Sequence, residues 1–360
     1  MINVRRRTKE LLTEHYQTYP QLQIQDIFKF LHQSSYGCEH LLQDAADVVE
    51  YINKEVEEYQ FHREEFTEEL DGEFCRVHLD WIKAGLSAKT LGILFYISAK
   101  PVENGKTTLE EKLDVFLQMV KEGVLPFTTD EVETEIVKWK KTGYSACHHS
   151  EEFRKNYSPA YRVVRKDLAL FLPLLLRIDS SLHKGRVTMA IEGGSASGKT
   201  TLSKLLEEIY CATVFHMDDF FLQPWQRTKQ RYAQPGGNVD WERFLEEVLI
   251  PLKDNRNIAY RRFDCSTFEI APPVNKKPSD VNVIEGAYSM RPELEDYYDF
   301  PVFLNVSSKL QKNRIEKRNT PQMAERFFEQ WIPMEHQYFE KMNVKERCDM
   351  VIDITGITEL

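Results

Sequence analysis

The sequence predicts an α/β domain with a parallel sheet, preceded by a mainly α-helical domain. In the second half, short apolar runs alternate with helical segments, and a glycine-rich turn follows the first of these runs. This alternation is typical of a parallel sheet covered by helices on both faces. In the first half, apolar residues recur at three- and four-residue spacing instead, which is typical of amphipathic helices.

The elements follow from these patterns. The predicted strands are VTMAIEG, ATVFHMD, VNVIEGAY and FPVFLNV, with helices at LSKLLEEIY and WERFLEEVLIPL. The predicted N-terminal helices are DAADVVEYINKEVEEY, TLEEKLDVFLQMVKEG and one in LPFTTDEVETEIVKWKKTG, which starts at a cap and ends at Gly143. With 360 residues, two domains are expected. We place the helical domain at residues 1–178, a polar linker at 179–186 and the α/β domain at 187–360.

Composition and charge restrict the class of protein. Hydrophobic residues make up 42% and charged residues 29%, and the net charge of −10 argues against a broad nucleic-acid-binding face. The start, MINVRRRTKE, lacks the apolar segment of a secretory signal, and LALFLPLLL is too short to span a membrane. Six scattered cysteines without a CxxC pair indicate reduced thiols. We expect a cytoplasmic protein without nucleic-acid or membrane partners, and its oligomeric state stays open.

The stretch MAIEGGSASGKTTL contains the pattern GxxxxGK[ST] between a predicted strand and a predicted helix. Glycines let the backbone form a nest of N–H groups that face phosphate oxygens, and the helix N-terminus adds partial positive charge. In this pattern Lys199 neutralises the outer phosphates, and the Thr200 hydroxyl is a ligand for Mg²⁺. The predicted fold class is therefore an α/β P-loop NTPase, for which we expect ATP and Mg²⁺ as cofactors, while a preference for ATP over GTP stays open. The expected nucleotide-binding residues are Gly193, Gly194, Ser195, Ala196, Ser197, Gly198, Lys199, Thr200 and Thr201.

Carboxylates end two of the other predicted strands. Asp218, in HMDDFF, is placed to orient an acceptor hydroxyl and take its proton. The alternative is that this acid caps a helix or binds Mg²⁺ through water. Glu285, in VNVIEGAY, is expected to reach the same metal ion. The NKxD motif of GTPases and the LSGGQ-like motif of transport ATPases are both missing from the sequence, which favours a kinase.

The order of these motifs resembles the uridine kinase and phosphoribulokinase family of P-loop kinases. The resemblance includes GxxxxGK[ST], DDFF, NVDWERF, VIEGAY and an arginine-containing C-terminal segment. HMDDFF and VIEGAYS are also similar to nicotinamide riboside kinase, and RIEKRNTPQMAERFFEQWIPMEHQYFE resembles the lid segment of uridine kinases. The resemblance covers roughly residues 186–355 and none of the first half.

The resemblance implies roles for individual residues. Asp218 matches the family's catalytic aspartate, and Glu285 matches its metal-linked glutamate. Asp240 matches an aspartate that holds sugar hydroxyls, although it is equally placed to be a helix N-terminal acid before WERFLEEVL. Arg314 and Arg318 match lid arginines that close over the phosphates and act with Lys199 in catalysis, and both are alternatively solvated helix charges.

One stretch departs from the family. In AYRRFDCSTFE, Tyr260 and an aromatic–acid pair are kept, but Cys265 and its neighbours stand where uridine kinases carry the histidine that reads the pyrimidine. Uracil recognition is therefore not implied. Arg261 and Arg262 either meet an anionic substrate or lie on the surface. We assign Tyr260 and Arg262 to the substrate site with Asp240.

The first half shows histidine and cysteine in three passages, IFKFLHQSSYGCEHLL, RVHLDW and SACHHSEEFRKNYSPAYRVVRKDL. Such residues can form a metal or substrate site, but none of the pairs has the spacing of metal ligands. A set of satisfied, half-buried polar residues is the alternative. If this half carries a site, we place it among Glu39, His40, His148 and Arg162. A regulatory module, a substrate-binding domain and a second enzyme all stay open.

Together these features predict an ATP-dependent kinase that transfers the γ-phosphoryl group to a hydroxyl of a small molecule, most readily a nucleoside or related ribosyl compound. The competing hypothesis is an ATP-binding sensor, whose P-loop domain switches the binding of a partner or ligand by the N-terminal domain.

Overall fold

In a computed structural model, which describes residues 2–38, 45–60 and 65–356, the chain divides into two compact units, Met1–Leu176 and Arg177–Leu360. The N-terminal unit is mainly helical, as predicted. Its helices are α1 (Ile2–Thr18), α2 (Ile24–Tyr36), α3 (Ala45–Glu58), α4 (Asp80–Lys83), α5 (Ala88–Ser98), α6 (Gly105–Lys121), α7 (Thr129–Lys141), α8 (Glu151–Tyr157) and α9 (Lys166–Ala169). The next helix, α10 (Leu172–Leu182), begins in this unit and ends in the second one. None of the helices in the described part of the chain is both long and apolar enough to cross a membrane.

The N-terminal unit also contains a small antiparallel sheet that the helical periodicity did not predict. Its strands, in the order β1-β2-β3, are β1 (Thr67–Glu69), β2 (Phe74–His78) and β3 (Tyr161–Arg165). All five residues of β2 are buried, so this strand lacks the alternation that marks a half-exposed strand. A second difference concerns the predicted linker at 179–186, because α10 continues to Leu182 and makes its first residues helical.

Buried polar groups form a continuous network in this unit. The fully buried Arg76 guanidinium donates hydrogen bonds to Gln33 Oε1 at 2.9 and 3.0 Å and to Glu68 Oε1 at 2.9 Å. The His149 ring lies 2.9 Å from Asp26 Oδ1 and 2.7 Å from the Tyr161 hydroxyl. Burial raises the pKa of Glu68, but Arg76, His15 and His78 together outweigh burial and hold that pKa well below its usual range. The charges are thus paired, as burial requires.

The C-terminal unit is built on a five-stranded parallel sheet, in agreement with the predicted fold class. Its strand order is β10-β9-β4-β8-β5, and an antiparallel β6–β7 hairpin stands beside the sheet as a separate pair. The strands are β4 (Val187–Glu192), β5 (Thr213–His216), β6 (Ile258–Asp264), β7 (Glu269–Lys276), β8 (Val281–Glu285), β9 (Phe300–Asn305) and β10 (Met350–Asp353). All four strands predicted in this half are present.

After α10, the described part of this unit, up to residue 356, contains eight more α-helices. They are α11 (Lys199–Tyr210), α12 (Lys229–Tyr232), α13 (Trp241–Phe244), α14 (Ile250–Lys253), α15 (Ser308–Arg318), α16 (Pro321–Arg326), α17 (Ile332–Lys341) and α18 (Val344–Arg347). Leu245–Leu249 joins α13 to α14, and Phe327–Trp331 joins α16 to α17, each as a π-helical turn. The carboxyl ends of β4, β5 and β8 meet at one edge of the sheet, where ligands bind in open parallel sheets.

We predict that Gly37→Ala destabilises the N-terminal unit more than Gly123→Ala does. Both glycines follow a helix and have positive φ, +61° and +70°. A Cβ on Gly37 would lie 2.5 Å from the ring of the buried Phe74, whereas one on Gly123 has no heavy atom within 4 Å. We expect a loss of about 1 kcal/mol for Gly123→Ala from backbone strain and a further ~1–3 kcal/mol for Gly37→Ala from overpacking. Urea unfolding measures both, and equal losses would contradict the predicted clash.

The network also predicts a pH dependence of stability. Burial lowers the pKa of His149 from 6.5 to about 4, although the hydrogen bond to Asp26 acts the other way. Between these values the unfolded state binds a proton that the folded state does not, so the free energy of unfolding falls as the pH falls from about 6.5 towards 4, by up to about 3 kcal/mol. Urea unfolding at pH 7 and pH 5 measures this loss.

His149→Gln removes the titrating group, so we expect it to flatten this pH dependence. His148→Gln is the matched control, since it removes the neighbouring imidazole and leaves the network intact. A wild-type pH dependence in His149→Gln would show that other groups cause the loss.

Candidate active site

The phosphate loop joins β4 to α11 and has the backbone that the glycine pattern predicts. Gly193 has a φ of +148°, and a Cβ there would lie 2.7 Å from the Leu304 carbonyl oxygen. Gly198, with a φ of +86°, caps the N-terminus of α11, and Ala196 also has a positive φ of 59°. Residues in this conformation turn successive N–H groups to one side, which is the geometry of an anion-binding nest.

Two side chains of the motif already have partners in this loop. The Lys199 ammonium donates hydrogen bonds to the carbonyl oxygens of Gly193 at 2.8 Å and Gly194 at 3.0 Å. The Thr200 hydroxyl donates to Glu285 Oε1 at 3.4 Å. The structure therefore brings the predicted phosphate-binding lysine to the loop and the two predicted magnesium residues to each other.

The Thr200 and Glu285 pair fits a magnesium ion. Hydroxyl and carboxylate oxygens are the ligands that Mg²⁺ prefers, and it usually keeps water and phosphate oxygens in its remaining positions. Across residues 2–38, 45–60 and 65–356, no group of three or more histidine, cysteine, aspartate or glutamate side chains is arranged to hold a metal ion. The two protein oxygens of Thr200 and Glu285, and the absence of a larger cluster in these residues, are consistent with a metal site that a nucleotide completes.

His216 belongs to this site and was missed by the sequence patterns. It ends β5 directly opposite Glu285 of β8, and its Nδ1 lies 2.5 Å from Glu285 Oε1. The hydrogen bond to Glu285 raises the pKa of His216. The only sequence signal was its place two residues before Asp218 in HMDDFF.

The two aspartates after β5 have different surroundings. Asp218 is exposed to solvent and, among the described residues, has no hydrogen-bond or ion-pair partner. Protein atoms nonetheless crowd around its carboxylate, and this partial desolvation raises its pKa, whereas Lys199 acts to lower it. Asp219 Oδ2 instead lies 3.2 Å from Arg262 Nε and accepts a 3.4 Å hydrogen bond from the Tyr260 hydroxyl.

The predicted substrate residues are thus brought together only in part. Tyr260 is fully buried, and its hydroxyl contacts Arg262 as well as Asp219. Arg261 points to Glu247, with 2.5 Å between its guanidinium and the carboxylate. Both arginines of the hairpin therefore have a carboxylate partner.

Asp240 has the geometry of a helix N-terminal acid, which was the alternative interpretation of its sequence position. It caps α13, and it accepts hydrogen bonds from the Arg243 backbone N–H at 3.3 Å and from Arg243 Nε at 3.2 Å. The side chain is buried, so these contacts satisfy a charge that burial would otherwise make costly.

The two predicted lid arginines on α15 differ in what they contact. Arg314 donates a 3.2 Å hydrogen bond to the Ala196 carbonyl of the phosphate loop, and desolvation there lowers its pKa. Arg318 is exposed, and its guanidinium lies 5.5 Å from the centre of the Phe327 ring. The structure thus brings Arg314, and not Arg318, into contact with the loop.

Glu192 is a second residue that the motifs did not single out. It ends β4 with no exposed surface, and it accepts hydrogen bonds from the Gly193 N–H at 2.8 Å, the Met290 N–H at 3.1 Å and the Tyr338 hydroxyl at 3.0 Å. Burial raises its pKa to about 7. Glu192 therefore joins the base of the phosphate loop to two later parts of the unit.

Glu335 of α17 contacts the same loop from the other end of the sequence. Its carboxylate accepts hydrogen bonds from the Ser195 N–H at 2.9 Å and the Ser195 hydroxyl at 2.6 Å. From α15, Gln311 Nε2 donates a 2.8 Å hydrogen bond to the Ser195 carbonyl. No local pattern indicates these contacts, because more than 100 residues separate the partners.

The residues proposed for an N-terminal site are not assembled by the described structure. Glu39 and His40 lie outside the described residues. The His148 carbonyl accepts a hydrogen bond from Gln25, and Arg162 pairs with Glu55 at 2.8 Å. The neighbouring His149, which had no assigned role, is the histidine in the buried network.

Comparisons with known proteins find relatives of the C-terminal unit. Residues 188–326 match the model of the Phosphoribulokinase / Uridine kinase family. The uridine kinase of Limosilactobacillus reuteri (strain DSM 20016) is 24% identical over 192 residues, which are 48% of this chain and 86% of that protein. The uridine kinase of Ligilactobacillus salivarius (strain UCC118) is 25% identical over 187 residues, with 47% and 86% covered.

Among solved structures, a possible uridine kinase from Bacillus stearothermophilus is 25% identical, with a TM-score of 0.38, and the match covers 50% of this chain and all of that one. The sequence matches and the parallel sheet around the phosphate loop confirm the resemblance drawn from the motifs. Residues 188–326 are therefore similar in sequence to the phosphoribulokinase and uridine kinase family of P-loop kinases.

Proposed function

We propose that the C-terminal unit transfers the γ-phosphoryl group of ATP to a hydroxyl of a small molecule, with nucleosides and related ribosyl compounds as the acceptor class. The observation that supports this proposal most directly is the contrast between two adjacent aspartates. Asp219 is held by Arg262 and Tyr260, whereas Asp218 is accessible and unpaired among the described residues, at the sheet edge that carries the phosphate loop. Its electrostatic coupling to Lys199 and Glu285 supports a place close to both.

In this reaction the acceptor hydroxyl gives its proton to the Asp218 carboxylate. The acceptor oxygen forms a bond to the γ-phosphorus, and the bond from that phosphorus to the bridging oxygen of ADP breaks. Loop N–H groups and Lys199 hold the phosphates, and Lys199 leaves the Gly193 and Gly194 carbonyls to do so. Arg314, already at the loop, is placed to add positive charge.

Thr200 and Glu285 are the residues that would hold Mg²⁺. When bound, the ion neutralises charge on the phosphate oxygens. His216 orients the Glu285 carboxylate through its 2.5 Å contact. A fixed carboxylate orientation matters because transfer of this kind depends on positioning and electrostatics more than on covalent chemistry.

The acceptor class rests on the relatives, which are named uridine kinases, and on the hairpin beside Asp219. At the tip of this hairpin, Ser266 bonds to Asp264 through both its N–H and its hydroxyl. Cys265 and Ser266 thus stand at the tip, in the place where uridine kinases carry the pyrimidine-reading histidine. Hydrogen bonds within the turn close it. We therefore propose a ribosyl hydroxyl as acceptor without a preference for uracil.

Substitution of the two adjacent aspartates tests this proposal. We expect Asp218→Asn to lower kcat by a factor of about 10²–10⁴, the usual contribution of a general base, while ATP binding is kept. Asp219→Asn is the matched control, because it removes the same charge one residue away, and we expect a much smaller change in kcat. ATP consumption with Mg²⁺ is measured across nucleosides, nicotinamide riboside and ribulose 5-phosphate, with Lys199→Ala as the inactive reference.

Two results would contradict the assignment. Equal losses in Asp218→Asn and Asp219→Asn would remove the special role of Asp218. Tight ATP binding without consumption for any acceptor would favour an ATP-binding sensor instead of a kinase.

A further inference from the structure

The phosphate loop binds a carboxylate of its own chain. Both carboxylate oxygens of Glu335 accept hydrogen bonds from Ser195. Oε2 accepts from the backbone N–H, and Oε1 accepts from the hydroxyl. Only 4% of the Glu335 surface is exposed, so water does not compete for these hydrogen bonds. Loops of this pattern present their N–H groups to phosphate oxygens. Glu335 therefore places an anion on a donor of the anion-binding loop.

Charged neighbours show which end of a nucleotide this position corresponds to. Burial raises the pKa of Glu335, the Lys199 charge lowers it and the Asp218 charge raises it, so both groups lie within electrostatic range. The lysine of this motif reaches the β- and γ-phosphates. The proposed acceptor base Asp218 faces the same end. Geometry supports the same end, because Glu335 bonds to Ser195 directly after the Gly193 and Gly194 carbonyls that hold Lys199, the residue that the motif assigns to the outer phosphates.

Two carbonyl groups of the loop also accept hydrogen bonds from side chains of the same unit. Gln311 and Arg314 of α15 donate hydrogen bonds to the carbonyls of Ser195 and Ala196, at 2.8 and 3.2 Å. These two contacts involve loop carbonyls and therefore do not occupy positions meant for phosphate. The Glu335 contact differs, because it occupies an N–H and a hydroxyl that can both donate to an anion.

We propose that Glu335 is a specificity-determining residue, which competes with the outer phosphates for Ser195 and so weakens the binding of ATP more than that of ADP or AMP. The proposal rests on the proposed function, since it assumes that the loop binds a nucleotide. A carboxylate and a phosphate that compete for the same donors repel each other strongly where water is partly excluded. The carboxylate therefore leaves Ser195 when a triphosphate binds, and α17, which carries it, responds to the state of the nucleotide.

Glu335→Gln tests the proposal with an almost isosteric side chain that lacks the charge. Titration calorimetry with Mg²⁺ and without acceptor measures the Kd of ATP, ADP and AMP. We expect ATP to bind about tenfold more tightly to this variant than to the wild type, which corresponds to about 1.4 kcal/mol. A smaller gain is expected for ADP and none for AMP. Glu329→Gln removes the same charge from an exposed position in the preceding turn, and we expect wild-type affinities there.

Unchanged or weaker ATP binding in Glu335→Gln would overturn the proposal and leave Glu335 as a scaffold for the loop. A uniform gain for all three nucleotides would overturn it too, because competition at the outer phosphates discriminates among them. If the wild type binds none of the three, the proposed function fails along with it. If instead the wild type binds ATP and the variant shows no gain in affinity, only the role of Glu335 fails.

A measurement on the wild type keeps the test independent of how the variant folds. Hydrogen exchange of the α17 amides is compared with and without saturating ATP and Mg²⁺. If ATP releases Glu335, the amides of residues 332–337 exchange faster when ATP is bound. Adenosine lacks phosphate, so we expect no change in exchange when it is added instead. Exchange that is equal or slower with ATP would overturn the proposal.

Discussion

The geometry of the C-terminal unit depends on the buried carboxylate of Glu192 at the end of β4. A buried carboxylate is costly unless hydrogen bonds satisfy it, and here the donors are the Gly193 N–H, the Met290 N–H and the Tyr338 hydroxyl. These donors belong to the phosphate loop, to the segment after β8 and to α17. One side chain thus fixes the start of the loop relative to two elements that come about 100 and 146 residues later in the sequence.

The parallel sheet then brings the predicted site residues to a common edge. β4 pairs with β8, and β8 pairs with β5, so that Glu285 lies opposite both Ile191 and His216. Because parallel strands all end at the same side, short motifs far apart in sequence meet there without further adjustment. Asp218 follows β5 at the same sheet edge as Thr200 and Glu285, the two predicted magnesium residues, and its neighbour Asp219 contacts the hairpin.

This arrangement explains what could be predicted from the sequence and what could not. The loop, the strand ends and the contact of Thr200 with Glu285 followed from local motifs and from the shared direction of the strands. The contact between Glu335 and Ser195 did not, because it depends on how α17 packs after a π-helical turn. The sheet of the N-terminal unit was missed for a related reason, since β2 is buried throughout and shows no alternation.

The internal contacts of the phosphate loop bear on the proposed binding of a nucleotide. Lys199 is bonded to loop carbonyls and Ser195 to Glu335, so a nucleotide that binds as proposed would exchange existing hydrogen bonds for new ones. Net affinity is the difference between the two sets and is smaller than the number of phosphate contacts suggests. A kinase gains from this, because uniform tight binding of substrate and transition state does not raise kcat. Under the proposed function, the internal contacts would therefore reduce ground-state affinity while they hold the loop in its observed conformation.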